Sequence, residues 1–286
     1  MSSTPDTVAD TELRVLDVAG ASVAVLSLGS GEAVVYLHGL CDIFGALPGD
    51  APGAFLEGLA ASGPGRRVLA PALPGYPGGT GPGEVADVED VVWHLVDVLG
   101  ALALDRVDVV GHSIGGWYGA ELALRHPGLV RRLVLAAPLG IHVSGVEVVP
   151  FFGAVAPRGI GGLGEARRCL FAAPEGAPAL AALPDDMGPE HELRWYAGLA
   201  GAARLGWQAP HFQSRALTRR LARIGVPTLV VRGSDDRLVP AEHASAWADG
   251  IPGATSVDVP DAGHGIAVEQ PAALTAAVSA FLGGPS

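Results

Sequence analysis

The sequence predicts an α/β protein in which a mostly parallel central sheet is flanked by helices and interrupted by a helical cap insertion. Short apolar runs alternate with amphipathic stretches along most of the chain, as strands and helices do in a parallel sheet. Residues 33–37 form a continuous apolar run, which is typical of a strand buried on both faces. With 286 residues, of which 49% are hydrophobic and 17% charged, the chain can bury a large core.

The individual elements follow from local patterns. An entering hairpin is predicted from the runs at 13–18 and 22–28, which flank Gly20. The run at 67–70 ends at Pro71, the stretch 87–102 has apolar residues at helical spacing, and Pro127 ends a helix predicted over 117–126. Further strands are predicted at 107–110, 133–136, 227–231 and 256–259, and further helices at 241–249 and 271–282.

The regular alternation lapses between residues 139 and 223, and this stretch is irregular and mostly helical. Because strand character returns afterwards, the stretch is interpreted as an insertion in one α/β unit. The predicted core therefore comprises residues 1–138 and 224–286, and the predicted cap comprises residues 139–223.

Composition and charge exclude several classes of function. The net charge is −12 and the pI is about 5.1. A negatively charged surface repels phosphate backbones and anionic lipid headgroups, so neither nucleic acid nor a membrane surface is expected as a partner. The absence of lysine excludes a P-loop lysine and a Schiff-base lysine. The chain start lacks the features of a signal peptide, and the most apolar stretch, 133–157, is broken by prolines and glycines. A cytoplasmic location is therefore expected.

The segment Gly111-His112-Ser113-Ile114-Gly115 matches the G-x-S-x-G pattern and lies between a predicted strand and a predicted helix. In such a turn the two glycines let the chains pass closely, and the serine backbone is strained. The turn exposes Ser113 Oγ at a helix N-terminus, where the Ile114 N–H can stabilise negative charge. Ser113 is therefore the candidate nucleophile, although a serine at a strand-to-helix turn can also serve only as a helix cap.

An earlier predicted strand ends in Leu37-His38-Gly39-Leu40. With the serine motif downstream, this loop resembles that of the α/β-hydrolase fold superfamily, in particular serine hydrolases with a helical cap. The resemblance extends from about residue 12 to 282 and is weakest across the cap. It implies that the backbone N–H of Leu40 joins that of Ile114 in an oxyanion hole.

The same resemblance identifies an acid and a base. Residues 227–240 are similar to the family's strand–Gly-x-x-Asp-x-apolar-Val-Pro segment; counting from Gly233 selects Asp236, with Asp235 as the alternative. The Gly-His and Glu-x-Pro pattern near the end selects His264. The order Ser113, Asp236, His264 is that of α/β-hydrolases, in which the base takes the serine proton and the acid orients the base.

The resemblance implies hydrolysis of an ester-type bond (ester, thioester or lactone) of a small, largely apolar acyl substrate through an acyl-enzyme. Large side chains in the otherwise Ala- and Gly-rich cap are expected to line the pocket, although any of them could instead hold the cap to the core. The expected substrate contacts, including residues beside the two motifs, are His38, Cys41, Trp117, Phe151, Phe152, Trp195, Trp207 and Phe212.

Three alternatives remain open at this point. A C–C bond hydrolase uses the same triad, but the segment Cys41-Asp42-Ile43-Phe44 departs from the glycine-rich loop of those enzymes. An enzyme of natural-product acyl transfer or cyclisation also fits. A ligand-binding protein of the same fold without turnover is the alternative of another class. The oligomeric state is open, with a homodimer as one option.

No cofactor or metal is expected, because water is the only co-substrate of the predicted reaction. The glycines at 159, 161 and 164 match the G-x-G-x-x-G pattern of dinucleotide-binding proteins. No clean strand precedes them, so a cap segment is the preferred interpretation.

Overall fold

A computed structural model describes residues 11–40, 52–79, 85–152, 162–206 and 211–284. The strands of this part are β1 (Thr11–Val18), β2 (Ala21–Leu28), β3 (Glu32–Leu37), β4 (Arg66–Pro71), β5 (Val107–His112), β6 (Val130–Ala136), β7 (Gly140–Ile141), β8 (Gln213–Ser214), β9 (Thr228–Gly233) and β10 (Thr255–Val259). The helices are α1 (Ala54–Ala61), α2 (Val88–Ala101), α3 (Ile114–Arg125), α4 (Leu163–Leu170), α5 (Ala177–Ala182), α6 (Pro189–Gly206), α7 (Arg215–Thr218), α8 (Ala241–Gly250), α9 (Ile266–Glu269) and α10 (Pro271–Leu282).

Eight of these strands form one sheet in the order β1-β2-β4-β3-β5-β6-β9-β10. Strand β2 runs antiparallel to both of its neighbours, and the pairs from β4 to β10 are parallel. The predicted α/β fold with a mostly parallel sheet is confirmed. The entering hairpin is also confirmed, because β1 pairs with β2 along its whole length.

Helices cover both faces of the sheet, which explains why the central strands are apolar without alternation. In β3, Val34 and Tyr36 pack into a cluster with α1 and α10, whereas Val35 and Leu37 pack into the opposite cluster with α2 and α3. Successive side chains of a strand point to opposite faces, so both faces need apolar residues. Every residue of β5 is buried for the same reason.

Helices α4 to α7 lie between β6 and β9 in the sequence, in the stretch predicted to be a cap. The short strands β7 and β8 pair in parallel near the two ends of this stretch, and the Gly140 N–H donates to the Phe212 carbonyl at 2.9 Å. This pairing joins the beginning of the stretch to its final part. The division into a core and a cap stays a prediction.

Parallel strands bring their carboxyl ends to the same edge of a sheet. Leu40 follows β3, Ser113 follows β5, Asp236 follows β9 and His264 follows β10, so four candidate residues lie at that edge. Within the described ranges, no helix is both long and apolar enough to cross a bilayer.

Candidate active site

Ser113 lies in the sharp turn between β5 and α3. Its backbone angles, φ 57° and ψ −118°, are unusual for a residue with a side chain. A Cβ on Gly115 would lie 2.7 Å from the His38 carbonyl oxygen, and one on Gly111 would lie 2.7 Å from the Gly115 carbonyl carbon. Neither position has room for a side chain, which explains the two glycines. Helix α3 begins at Ile114, three residues before the predicted start, because this turn leads directly into the helix.

The imidazole of His264 lies between Ser113 and Asp236. Its Nε2 is 2.7 Å from Ser113 Oγ, and its Nδ1 is 2.9 Å from Asp236 Oδ2. All three side chains are buried. With Asp236 ionised, Nδ1–H donates to the carboxylate and Nε2 accepts from the serine hydroxyl. The structure thus brings together three residues that are up to 151 positions apart in the sequence.

The carboxylate of Asp236 is fixed on its other side by the backbone. Its Oδ1 accepts hydrogen bonds from the N–H groups of Leu238 and Val239, both at 2.9 Å. The alternative acid, Asp235, is exposed, and its Oδ2 accepts from the Ser234 hydroxyl at 2.6 Å. Asp236 is therefore the carboxylate that orients His264.

His112, the residue before the serine, also contacts the loop of His264. Its buried ring donates from Nε2 to the His264 carbonyl oxygen at 2.8 Å. No role was predicted for this side chain. Its position inside the G-x-S-x-G motif was the available signal, but the motif itself requires no particular residue there.

The two expected oxyanion donors border the same cleft as Ser113. Ile114 is the first residue of α3, and the first N–H groups of a helix have no acceptor within the helix. Leu40 is buried and lines the cleft beside Ile114. That the backbone N–H groups of Leu40 and Ile114 form an oxyanion hole stays a prediction.

A narrow cleft lies over Ser113 and His264. Three predicted aromatic residues line it: Phe152 stacks on Phe212 at a centroid distance of 5.4 Å, and Phe151 meets Phe152 at 5.7 Å. Beyond Ser113 and His264, the described lining is entirely apolar. It also includes residues that the sequence analysis did not select, namely Leu139, Val148, Leu170, Ala202 and Leu238.

The structure places three predicted substrate contacts away from this lining. The buried His38 ring contacts the Gly39 carbonyl through Nδ1 and accepts from the Leu73 N–H through Nε2. Trp117 is buried where its ring closely approaches Gly140, and Trp195 is buried in the core cluster. These side chains are used for packing. Cys41 and Trp207 lie outside the described residues, as do Gly159 and Gly161, whereas Gly164 lies in α4.

Another histidine, His243, is buried outside the triad. It is 2% exposed, and burial lowers its pKa from the ordinary value of 6.5, against the opposing effect of nearby carboxylates. Its Nδ1 is buried without a hydrogen-bond partner. No group of three or more potential metal ligands was found among the residues that the structure describes.

Comparison with known proteins extends this picture. The model of the family described as "Alpha/beta hydrolase family" matches residues 34–278. A 2-hydroxymuconate semialdehyde hydrolase of Pseudomonas sp. (strain CF600) is 31% identical over 235 residues, 76% of each chain. The chain belongs to the alpha/beta hydrolase family. It is an enzyme of the serine hydrolase type.

Two solved structures share the fold. A 2-hydroxy-6-oxo-6-phenylhexa-2,4-dienoate hydrolase from Rhodococcus sp. strain RHA1 superposes with a TM-score of 0.76 at 18% identity, covering 96% of this chain and all of that chain. The carboxylesterase CesB from Bacillus subtilis superposes with a TM-score of 0.72 at 19% identity, covering 96% of this chain and 93% of the other.

Proposed function

We propose that this enzyme hydrolyses esters whose acyl group is small and uncharged, through an acyl-enzyme on Ser113. The observation that carries the proposal is the hydrogen-bonded series Ser113–His264–Asp236 at the base of a cleft with an otherwise apolar described lining. A nucleophile, a base and an oriented acid in hydrogen-bond contact are the requirements for acyl transfer to serine.

In the first half-reaction, Ser113 Oγ attacks the ester carbonyl while His264 Nε2 takes the hydroxyl proton. The carbonyl oxygen becomes negative, and the N–H groups of Leu40 and Ile114 stabilise it. Asp236 stabilises the imidazolium, because both of its oxygens are already fixed by His264 and by two backbone N–H groups. His264 then protonates the leaving alcohol, and the acyl group stays on Ser113.

In the second half-reaction, a water molecule replaces the alcohol. His264 removes a proton from this water, which attacks the acyl-serine carbonyl, and the same N–H groups stabilise the second oxyanion. His264 returns the proton to Ser113 Oγ as the carboxylic acid is released. The reaction balances with water as the only co-substrate, and it needs no metal.

The lining of the cleft supports an uncharged acyl group. Burying an unpaired carboxylate or ammonium in an apolar site is costly, and none of the described lining side chains could pair with a buried carboxylate as Arg does. We propose that residues 139–223 act as a cap, because Phe151, Phe152 and Phe212 from this stretch cover the cleft.

A C–C bond hydrolase is the second candidate, and the sequence relative from Pseudomonas favours it. The name of that relative's substrate, a muconate derivative, denotes a carboxylate. Such a group would need a basic partner, and no arginine lines the described cleft. Arg158 is the one arginine outside the described residues. The apolar lining therefore favours the ester over the dienoate.

The test compares p-nitrophenyl acetate and butyrate with a 2-hydroxy-6-oxohexa-2,4-dienoate. Wild type is expected to turn over the esters faster, and intact-mass spectrometry should detect an acyl adduct on Ser113. Ser113→Ala should lower kcat by at least about 10⁴-fold. Asp236→Asn should lower it by about 10⁴-fold, because the imidazole then takes the wrong tautomer.

Asp235→Asn is the matched control, since this neighbouring carboxylate is exposed. The kcat of this variant should stay within about twofold of the wild-type value. Faster cleavage of the dienoate than of either ester would favour the C–C hydrolase. Stoichiometric binding of an ester without product release would favour a ligand-binding protein, and either result would contradict the proposal.

A further inference from the structure

The loop that carries His264 is bound to residues 170–173, which are the last residue of helix α4 and the three residues after it. These residues are called the anchor segment here. The Gly265 N–H donates to the Leu170 carbonyl at 2.7 Å. The carboxylate of Glu269 joins the same two parts of the chain: its Oε2 accepts from the Gly263 N–H at 2.6 Å, and its Oε1 accepts from the Ala173 N–H at 3.1 Å. Both neighbours of His264 are thus tied to the anchor segment.

Close packing reinforces these hydrogen bonds. A Cβ on Gly263 would lie 2.6 Å from the Ala172 nitrogen, and one on Gly265 would lie 2.6 Å from the Phe171 ring. Phe171 itself is fully buried. Because no space separates the loop from the anchor segment, a shift of one requires a shift of the other.

The loop that carries Asp236 contacts the same segment. Arg237, the next residue, donates from Nη1 to the Phe171 carbonyl at 3.4 Å and from Nη2 to the Ala172 carbonyl at 3.2 Å. The acid loop and the base loop of the triad therefore share one support, and that support belongs to the predicted cap.

We propose that Glu269 is a positioning residue for His264, acting through the Gly263 backbone and the anchor segment. Its carboxylate holds the base loop against the end of α4 and so sets the 2.7 Å contact between His264 Nε2 and Ser113 Oγ. Glu269 is absent from the described lining of the cleft. This inference rests on the proposed function only because ester hydrolysis is one of the two measurements that test it.

The decisive variant is Glu269→Gln, which keeps the shape but replaces one acceptor oxygen with a donor that faces a backbone N–H. Two donors then oppose each other, and the loop shifts. Since a misplacement of about 1 Å can cost about 10²-fold in rate, kcat for p-nitrophenyl butyrate should fall between about 10- and 100-fold. KM should stay within about twofold, because Glu269 itself is absent from the described cleft lining.

Glu175→Gln is the matched control. Glu175 is also close to α4, but its side chain is 70% exposed and its ion-pair distance to Arg167 is 3.9 Å. This variant should retain wild-type kcat. Arg237→Gln should lower kcat in the same direction as Glu269→Gln, and the double variant should lose less than the product of the two effects, because both residues hold one segment.

A second measurement does not depend on the substrate. The bimolecular rate constant for phosphonylation of Ser113 by a fluorophosphonate reports activation of the serine, and it should fall with kcat in Glu269→Gln. Thermal unfolding and the final extent of labelling show whether this variant is folded. If wild type is labelled but hydrolyses no ester, the proposed function fails while the labelling rates still test the role of Glu269.

Unchanged kcat and labelling rate in Glu269→Gln would overturn the inference. A raised KM with wild-type kcat would also overturn it, since that result assigns Glu269 to the shape of the cleft alone. If wild type is neither labelled nor active, Ser113 is not activated, and both proposals fail.

Discussion

Ser113 shows how the surroundings maintain a strained residue. Backbone angles such as φ 57° and ψ −118° cost about 1–3 kcal/mol and persist only where other contacts fix them. The Ser113 N–H donates to the Ala136 carbonyl at 2.8 Å, and its carbonyl accepts from the Leu139 N–H at 3.1 Å. Both partners lie at or beyond the end of β6, so the neighbouring strand holds the turn that presents the nucleophile.

At the same scale, His243 predicts how stability depends on pH. Burial lowers its pKa in the folded protein, while the unfolded chain binds a proton near the ordinary value of 6.5. The facing carboxylates of Glu242, Glu147 and Asp236 oppose the effect of burial, and His142 adds to it. Below pH 6.5 the unfolded state therefore binds more protons, so the free energy of unfolding falls as the pH falls.

The test compares Tm between pH 7 and pH 5. His243→Leu is expected to show a smaller fall in Tm than wild type, because it removes the group that is kept neutral by folding. His191→Leu is the control, since His191 is exposed on α6. An identical pH dependence in His243→Leu and wild type would contradict the assignment, whatever the absolute Tm.

Helix α2 illustrates the element scale, because side chains form a cap at its beginning. Asp87 Oδ1 accepts from the N–H groups of Glu89 and Asp90 at 2.8 and 3.1 Å, and Asp90 Oδ2 accepts from the Asp87 N–H at 3.4 Å. This reciprocal arrangement is a capping box. It fixes the first turn at the residue where the predicted helix begins.

Asp87→Ala should lower the free energy of unfolding by about 1 kcal/mol, since two N–H groups lose their acceptor. Urea denaturation would measure this change as a lower midpoint at constant slope. Asp97→Ala, at an exposed position within the same helix, is the control and should not lower the midpoint. Equal midpoints for Asp87→Ala and wild type would show that the cap contributes nothing.

At the scale of the whole molecule, one side chain connects three strands of the central sheet. Arg131 on β6 donates to both oxygens of Asp108 on β5, at 2.9 and 2.8 Å, and to Glu32 on β3 at 3.1 and 3.2 Å. The Asp108 side chain is 2% exposed, so its buried negative charge needs the positive charge of Arg131 to offset the loss of water. A second cation of the described residues, Arg132, lies at 3.7 Å from the Asp108 carboxylate.

Arg131→Leu should lower the free energy of unfolding by about 3 kcal/mol, because it leaves Asp108 buried with a poorly placed partner. Urea denaturation of Arg14→Leu supplies the comparison: the Arg14–Glu12 pair on β1 is exposed, and its loss should leave the midpoint unchanged. Equal midpoints for the two variants would show that the buried Asp108–Arg131 ion pair stabilises the fold no more than the exposed Arg14–Glu12 pair.

Much of the fold could be predicted from the chain because the signals are local. Apolar runs such as 33–37 mark strands buried on both faces, and Pro271 and the apolar spacing after it predict α10 over the residues where it is observed. Helix α3 was placed three residues too late, because the glycines at 115 and 116 conceal a helix start.

The candidate triad could also be selected from the sequence, since each of its residues follows a strand inside a recognisable motif. The lining of the cleft could not. His38 and Trp117 are close to the motifs and Trp195 is a large residue of the predicted cap, yet all three are buried away from the cleft lining. In contrast, Leu139, Val148 and Ala202 border the cleft without any local signal. Whether a side chain faces a cleft depends on how distant elements pack against each other.

The chain by itself predicted which residues carry the chemistry and the order in which strands present them. The tertiary structure decided between Asp236, which the sequence had selected, and its alternative Asp235. Only the tertiary structure revealed that His112 supports the base loop and that Glu269 joins this loop to the end of α4. Motif recognition needs only neighbours in sequence. Hydrogen bonds across 28 or 152 residues exist only after the sheet has brought its strand ends together.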